Sequence, residues 1–415
     1  MMFVIIALLA LFAFLTWRNL ETGVLLLCAL LPSYLIRFSI GGVPTTFLEA
    51  MTFIVVGIWS IKTNWKTEIQ VFKKNPLMIA IDLLLLAATI GIFISPDKQA
   101  AIGVWKAFYI EPVLVFFVIL RLFAKSSSQQ NRIKRTQEKI FQAFGASALL
   151  ISLFGLIQYV FLIGIPAPWD LERRITSLFE YPNALALFLE PIIVISWFMI
   201  PTYVKTKPKE FWFWLFVSIL STINVFLAQS EAGIAALIVT AVCILLFSKT
   251  TRRQTLASIM IISALVFTIP TSREYLIKKL IFQDTSEQVR LSQWKETGVL
   301  LKDHPIMGVG LSGYPIALKP YHHDVPYEIF QYPHNIFLNI WVELGILGLA
   351  AFSLLAFQLF FRPFRPVSIF FFLFLEIFLH SLVDVPYFKN DLAMMTWIFI
   401  ACAIALRTNK PYVTL

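Results

Sequence analysis

Long apolar stretches separated by short polar punctuation dominate the chain. Met1 to Trp17, Leu77 to Ile94 and Ala232 to Phe247 are nearly uncharged. At 1.5 Å of rise per helical residue each is roughly long enough to cross about 30 Å of hydrocarbon. Segments in lipid must satisfy their own backbone hydrogen bonds, and these lack the two-residue alternation of a barrel strand. The pattern predicts helices over 2–17, 20–36, 46–61, 77–94, 104–123, 140–165, 184–203, 211–228, 232–247, 255–269, 336–361, 367–383 and 392–406. The expected fold is all-α, a polytopic transmembrane bundle of about 12–13 helices. The first run reads as a retained helix, because it lacks the basic start and small-residue cleavage site of a signal peptide.

Composition agrees: 59% of the 415 residues are apolar, 14% are charged and the mean hydropathy is +0.79, more apolar surface than a soluble core buries. The bases are placed with a pattern. Lys62, Lys66, Lys73 and Lys74, then Lys125, Arg132, Lys134, Arg135 and Lys139, then Lys205, Lys207 and Lys209 sit in alternate connections. So do Lys249, Arg252 and Arg253, then Arg362 and Arg365, then Arg407 and Lys410. The positive-inside rule puts these connections in the cytoplasm and the long stretch from Pro270 to Pro333 outside. The amino terminus is outside if every helix crosses, and inside if one of the first three is re-entrant. The net charge of +10 is thus what membrane insertion requires, and no nucleic-acid partner is expected. Cys28, Cys243 and Cys402 are scattered through apolar helices and read as packing residues. The expected organisation is a transmembrane bundle over 1–269, an extracytoplasmic loop with surface helices over 270–335, and transmembrane helices over 336–415.

The long loop carries the most polar chemistry. Ser272 to Ile281 and Thr285 to Leu301 have helical apolar spacing, with Leu291, Trp294, Val299 and Leu300 on or near one stripe. The run DHPIMGVGLSGYP follows. Its glycines either let the backbone approach something closely or simply turn the chain, and no βαβ context makes them a dinucleotide fingerprint. Arg173 and Arg174, Arg290 and His334 stand out as outward-facing polar groups. Each has a plain alternative: interfacial arginines bind lipid phosphates or snorkel, and a histidine beside Asn335, a good helix cap, serves the helix start. His322, His323 and Asp324 do not predict a metal site, since adjacent side chains in extended backbone point apart. Tyr314, Tyr321, Tyr327 and Tyr332 read as an interfacial aromatic belt. Asp384, in HSLVDVPYFKNDLA, lies at another outward turn, where it either shapes an entrance or caps a helix.

Three stretches together resemble the O-antigen ligase and polymerase family. RRITSLFEYPNALALFL is similar to its arginine and Pro-Asn signature, and VRLSQWKETGVLLKDHPIMGVGLSGYP to its arginine, tryptophan and His-Pro-Gly signature. PHNIFLNIWVELGILGL is similar to its histidine-asparagine signature with an acidic residue and Gly-x-x-Gly downstream. Order and approximate spacing agree from about Arg173 to Gly348. One departure stands out: Ser230 and Glu231 occupy a place where the family commonly has Ser-Arg, so an outward cation has become an anion. Glu231 is then open to pairing with a retained arginine.

The resemblance implies a C-type glycosyltransferase-like fold in the bacterial inner membrane, with its active site on the periplasmic or extracellular side. It implies a metal-independent enzyme without a cofactor that moves a glycan from undecaprenyl pyrophosphate to an acceptor hydroxyl. That hydroxyl belongs to a lipid A core, another glycan or a protein Ser or Thr. It points to His334 as general base and to Arg174 and Arg290 at the donor pyrophosphate; Arg173, Asn183, Glu231, Asn335 and Asp384 are the candidate supporting residues. The chemistry is coherent. A hydroxyl is a weak nucleophile, a histidine with a pKa of about 6.5 accepts its proton near neutrality, and guanidinium forks hold a departing pyrophosphate without titrating. Direct attack inverts the anomeric carbon. The alternative class is a membrane transporter or lipid-glycan flippase with the arginines as its substrate site. Against it, the polar cluster lies on one face instead of mid-membrane, and no paired broken helices are evident.

Overall fold

The computed structural model describes residues 2–66, 68, 75–124, 129–268, 285–323, 327–360 and 368–407. The expected surface helix over 272–281, Asp324 and the bases Lys73, Lys74, Lys125, Arg362, Arg365 and Lys410 lie outside the described residues. In chain order the helices are α1 (Met2–Arg18), α2 (Leu20–Ala29), α3 (Phe47–Lys62), α4 (Met78–Ile94), α5 (Lys98–Val104), α6 (Glu111–Ala124), α7 (Gln129–Phe161) and α8 (Pro182–Tyr203). They continue as α9 (Pro208–Leu227), α10 (Glu231–Phe247), α11 (Arg252–Thr268), α12 (Thr285–Asp303), α13 (Tyr314–Leu318), α14 (Ile336–Phe360), α15 (Ile369–Ser381) and α16 (Asn390–Arg407). The all-α expectation holds, and a helix lies over every stretch the hydropathy pattern marked.

Among the described residues five helical stretches are long and apolar enough to cross a bilayer: Lys98–Phe123, Ile133–Phe161, Pro182–Tyr203, Pro208–Leu227 and Ile336–Phe360. Six further apolar helices are 10–17 residues long. This is a multi-pass membrane protein.

Two expected helices are interrupted. The stretch 20–36 is α2 followed by a 3-10 turn at Leu31–Leu35, where Pro32 can supply no backbone donor. The stretch 104–123 starts earlier, at α5, because Asp97 caps it by accepting from the Ala100 amide at 3.0 Å; a π-helical turn at Trp105–Ile110 then leads into α6. Between α2 and α3 the chain adds a hairpin, β1 (Arg37–Ile40) and β2 (Val43–Thr46), paired antiparallel. Its two-residue turn is Gly41-Gly42, both at positive φ, as a right-twisted hairpin requires.

The chain divides into two compact units. The first comprises Met1–Ile79, Lys106–Ile234 and Pro386–Leu415. At its centre α8 packs against α9 and α7, and it is buried without interruption from Ala184 to Ser196, as befits a helix apolar on all sides. Elsewhere in this unit α16 packs on α6, and α1, α2 and α3 pack on one another. Thr46 starts α3 by accepting from the Glu49 amide at 3.1 Å, and Asn19 starts α2 by accepting from the Glu21 amide at 3.0 Å. The second unit comprises Ala80–Trp105 and Ala235–Val385. There α12 packs on α13 and α14, and α14 on α15. Its loop core gathers Leu300, Leu301, Val309, Tyr314, Leu318 and Val342.

Candidate functional site

Arg173, Arg174, Asn183 and Glu231 belong to the first unit, and Arg290, His334, Asn335 and Asp384 to the second.

In the second unit His334 lies two residues before α14, whose start is built by Asn335. The Asn335 side-chain oxygen accepts from the amides of Phe337 at 3.0 Å and Leu338 at 3.1 Å, satisfying donors that a helix start leaves open. Its Nδ2 donates to the Leu382 carbonyl at 2.9 Å. One side chain therefore caps the helix and ties it to the turn that carries Asp384. There Asp384 Oδ1 lies 3.4 Å from His334 Nδ1, with the carboxylate side chain 1% exposed and the imidazole 19%. The acid is shielded while the ring stays reachable. Asp384 precedes α16 by several residues and caps no helix, so the pairing replaces that reading.

Burial by itself would raise the Asp384 carboxyl. The His334 ring beside it, the charge of His380 and the Val385 amide overcome burial and hold it below the usual carboxylate range. His334 sits at φ +46°, a left-handed conformation that costs a non-glycine residue about 1 kcal/mol or more and persists where surrounding contacts enforce it. Those contacts are visible. The rings of Tyr332 and Phe330 meet the imidazole edge-on at centroid distances of 4.9 and 5.3 Å, and Trp294 Nε1 donates to the Pro333 carbonyl at 2.8 Å.

That last bond docks α12 on the residue before His334. Arg290 lies one helical turn before Trp294, half-buried. Its guanidinium enters no hydrogen bond or ion pair among the described residues.

The glycine-rich run after α12 proves to be a close backbone approach. Val309 donates to the Val342 carbonyl at 2.7 Å and Ile346 to the Ile306 carbonyl at 2.9 Å. A Cβ on Gly308 would stand 2.2 Å from the Val342 oxygen, and one on Gly345 2.3 Å from the Ile306 oxygen. Both glycines have φ +66°, and Gly345 breaks the regular geometry of α14. Glu343, which the sequence marked only as the motif's acidic residue, is buried and accepts from the Ser312 amide at 3.1 Å.

The tyrosine belt is corrected in one member. Tyr314 is fully buried and shares a 2.9 Å hydrogen bond with Thr297. His322 places Nδ1 3.0 Å from Glu296 Oε2 and Nε2 2.6 Å from the Tyr327 carbonyl. This second contact pair links α12 to the following loop.

In the first unit Arg174 is half-buried. Its Nε donates to the Ala228 carbonyl at 3.0 Å, just past the C-terminus of α9, where carbonyls are left open. The guanidinium stacks 4.9 Å from the Trp169 ring centroid and lies 3.5 Å from Glu172. Arg173 is exposed at φ +53°. Asn183 occupies the first turn of α8, and Glu231 is exposed at the first position of α10.

Gln158, passed over in the sequence, shapes this loop: its Oε1 accepts from the amides of Thr176 at 2.8 Å and Ser177 at 2.9 Å. Its Nε2 donates to the Gly164 carbonyl at 2.8 Å. A lone amide side chain near the end of an apolar span was the available signal. Lys389 was also missed. Its ammonium lies 4.2 Å from the Phe179 ring centroid and 5.1 Å from that of Tyr34.

Residues 216–353 match a family model described as O-antigen ligase. That range includes Glu231, Arg290, His334 and Asn335 and leaves Arg173, Arg174, Asn183 and Asp384 outside it. The chain is also 23% identical over 335 residues to a curated protein named O-antigen ligase from Salmonella typhimurium strain LT2. The alignment covers 74% of this chain and 78% of that protein.

Proposed function

We propose that this chain, which is similar to O-antigen ligases over residues 216–353 and over 74% of its length, transfers a glycan from undecaprenyl pyrophosphate to an acceptor hydroxyl, inverting the anomeric carbon. The observation that carries this reading is His334 Nδ1 facing the buried Asp384 carboxylate at 3.4 Å. A carboxylate on that side favours the tautomer with its proton on Nδ1, which leaves the Nε2 lone pair to accept the hydroxyl proton. The acceptor oxygen then bonds to the anomeric carbon as the carbon–oxygen bond to pyrophosphate breaks. The proton passes to His334, and the bonding electrons leave on undecaprenyl pyrophosphate. Arg174 and Arg290 are assigned to that departing charge, because guanidinium stays protonated and binds phosphate in a fork. Arg173, Asn183, Glu231 and Asn335 support these groups. The scheme calls for no metal or cofactor.

The site belongs to the periplasmic side of the inner membrane in this reading. Residues 270–335 then form an extracytoplasmic loop between the bundle of 1–269 and the helices of 336–415. The acceptor is one of three hydroxyls: a lipid A core, a growing glycan or a protein Ser or Thr.

The test uses the full chain in vesicles, with lipid-linked glycan supplied outside and no ion gradient. Transfer is expected, with an inverted anomeric linkage by NMR. His334→Ala, folded by its elution and melting profiles, should lose at least about 10²-fold in rate, the scale of a removed general base. Unchanged transfer by that variant or a retained configuration would overturn the scheme.

A further inference from the structure

Away from the candidate site, the first unit contains a cavity of about 230 Å³ lined by Arg18, Asn19, Leu20, Glu21, Trp59, Lys62, Thr63, Arg121, Leu122 and Thr136. Four helix ends meet there, the last turns of α1, α3 and α6 and the first turn of α2, and Thr136 joins them from about two turns into α7. Three cations face one carboxylate in that lining, and the nearby acids are already engaged. Glu68 lies 2.8 Å from Arg121, and Glu21 lies 2.7 Å from Lys139. Arg18 and Lys62 enter no ion pair with a carboxylate among the described residues. Lys62 donates to the Trp17 carbonyl and lies 4.6 Å from the Trp17 ring centroid. Arg18 lies 5.7 Å from the Phe14 ring centroid.

The bland role for these two bases is to offset the partial negative charge at the C-termini of α1 and α3. That role needs no cavity, and at about 30 Å³ per water this one would hold several waters or a phosphodiester. It is small for a drug-sized ligand. Exposed apolar side chains adjoin its cations: Phe14, 57% exposed, and Trp17, 51%, carry the rings that Arg18 and Lys62 meet, and Ile61, 71%, precedes Lys62. These side chains lie on α1 and α3 beside two cations that no carboxylate among the described residues pairs.

We propose that this cavity binds the phosphate of an anionic phospholipid headgroup in the leaflet on the basic side of the protein, with acyl chains running along Phe14, Trp17 and Ile61. Basic pockets between transmembrane helices recognise headgroups in this way. The exposed apolar side chains beside the two cations favour a lipid over a free phosphate ion, which would have no use for them.

The experiment is native mass spectrometry and thermal unfolding of the full chain in neutral detergent, titrated with phosphatidylglycerol, phosphatidylcholine or inorganic phosphate. Retention and stabilisation by phosphatidylglycerol above phosphatidylcholine are expected. Arg18→Gln with Lys62→Gln should weaken that preference about tenfold to thirtyfold, at roughly one surface-cation contribution per residue. Lys205→Gln with Lys209→Gln, on another basic connection, should leave it unchanged. Equal retention of both lipids, an undiminished preference in the first double variant, or an equal loss in the second would overturn the proposal. So would inorganic phosphate displacing the bound lipid at concentrations that do not merely screen charge.

Discussion

Asp384 shows how one side chain changes meaning when its neighbour is known. Along the chain it is an acid at a turn; in the fold it is the buried partner of His334. Its lowered pKa keeps it ionised at neutral pH, so that in the proposed transfer it can hold an imidazolium as the proton arrives. Asp384→Asn keeps the volume, removes the charge and frees the ring to take the wrong tautomer. Turnover should fall by about 10² to 10⁴, with the acceptor's KM little changed, as when a buried acid behind a catalytic histidine is neutralised. Initial rates against acceptor concentration, on protein whose melting profile matches the parent, check this; a loss confined to KM would assign Asp384 to binding instead.

Among the elements, α12 links the loop chemistry to the histidine. One of its faces ties Trp294 to the residue before His334, and Glu296 holds His322. The hydrogen bond to Glu296 raises the His322 pKa, the Tyr327 carbonyl and the Glu296 charge adding to it against desolvation. A base whose folded pKa is raised gains stability that is full below its unfolded value of about 6.5 and is lost as pH rises through the folded value. Amide exchange at His322 and Tyr327, corrected for the intrinsic pH dependence, should therefore quicken as pH rises from about 6 to 8. Glu296→Gln should flatten the trend. A parent protein with no such trend would show that the contact does not tie down the loop. The glycine-rich run belongs at this scale as well. Its spacing was legible, but its choice between turning and close packing needed the Val342 and Ile306 carbonyls.

For the molecule as a whole, the hydropathy pattern marks the helices because a bilayer leaves a segment few other ways to satisfy its backbone. The bases orient them because charge is costly to move through lipid. The proposed orientation is checked by single cysteines placed in a chain whose Cys28, Cys243 and Cys402 have been replaced. Lys207→Cys should react with an impermeant maleimide only after the membrane is opened, and Lys319→Cys in sealed spheroplasts; the reverse result would invert the map. Helix placement was read from local chemistry, and so was the motif set from Arg173 to Gly348. The Gly-Gly hairpin was not read from the sequence, because its four-residue strands carry too little periodicity to stand out between apolar helices. What the linear order could not supply was pairing across long separations. His334 with Asp384, Asn335 with the Leu382 carbonyl, Gln158 with the Thr176 and Ser177 amides, and Arg18 with Lys62 at one cavity all bring together groups whose types are common and whose partners are set by packing. Residue identity determined that this chain lives in a membrane and which side chains are able to act. Tertiary structure decided which of them lie together, because the distances that make an acid, a base or a binding site are properties of the fold and not of sequence spacing.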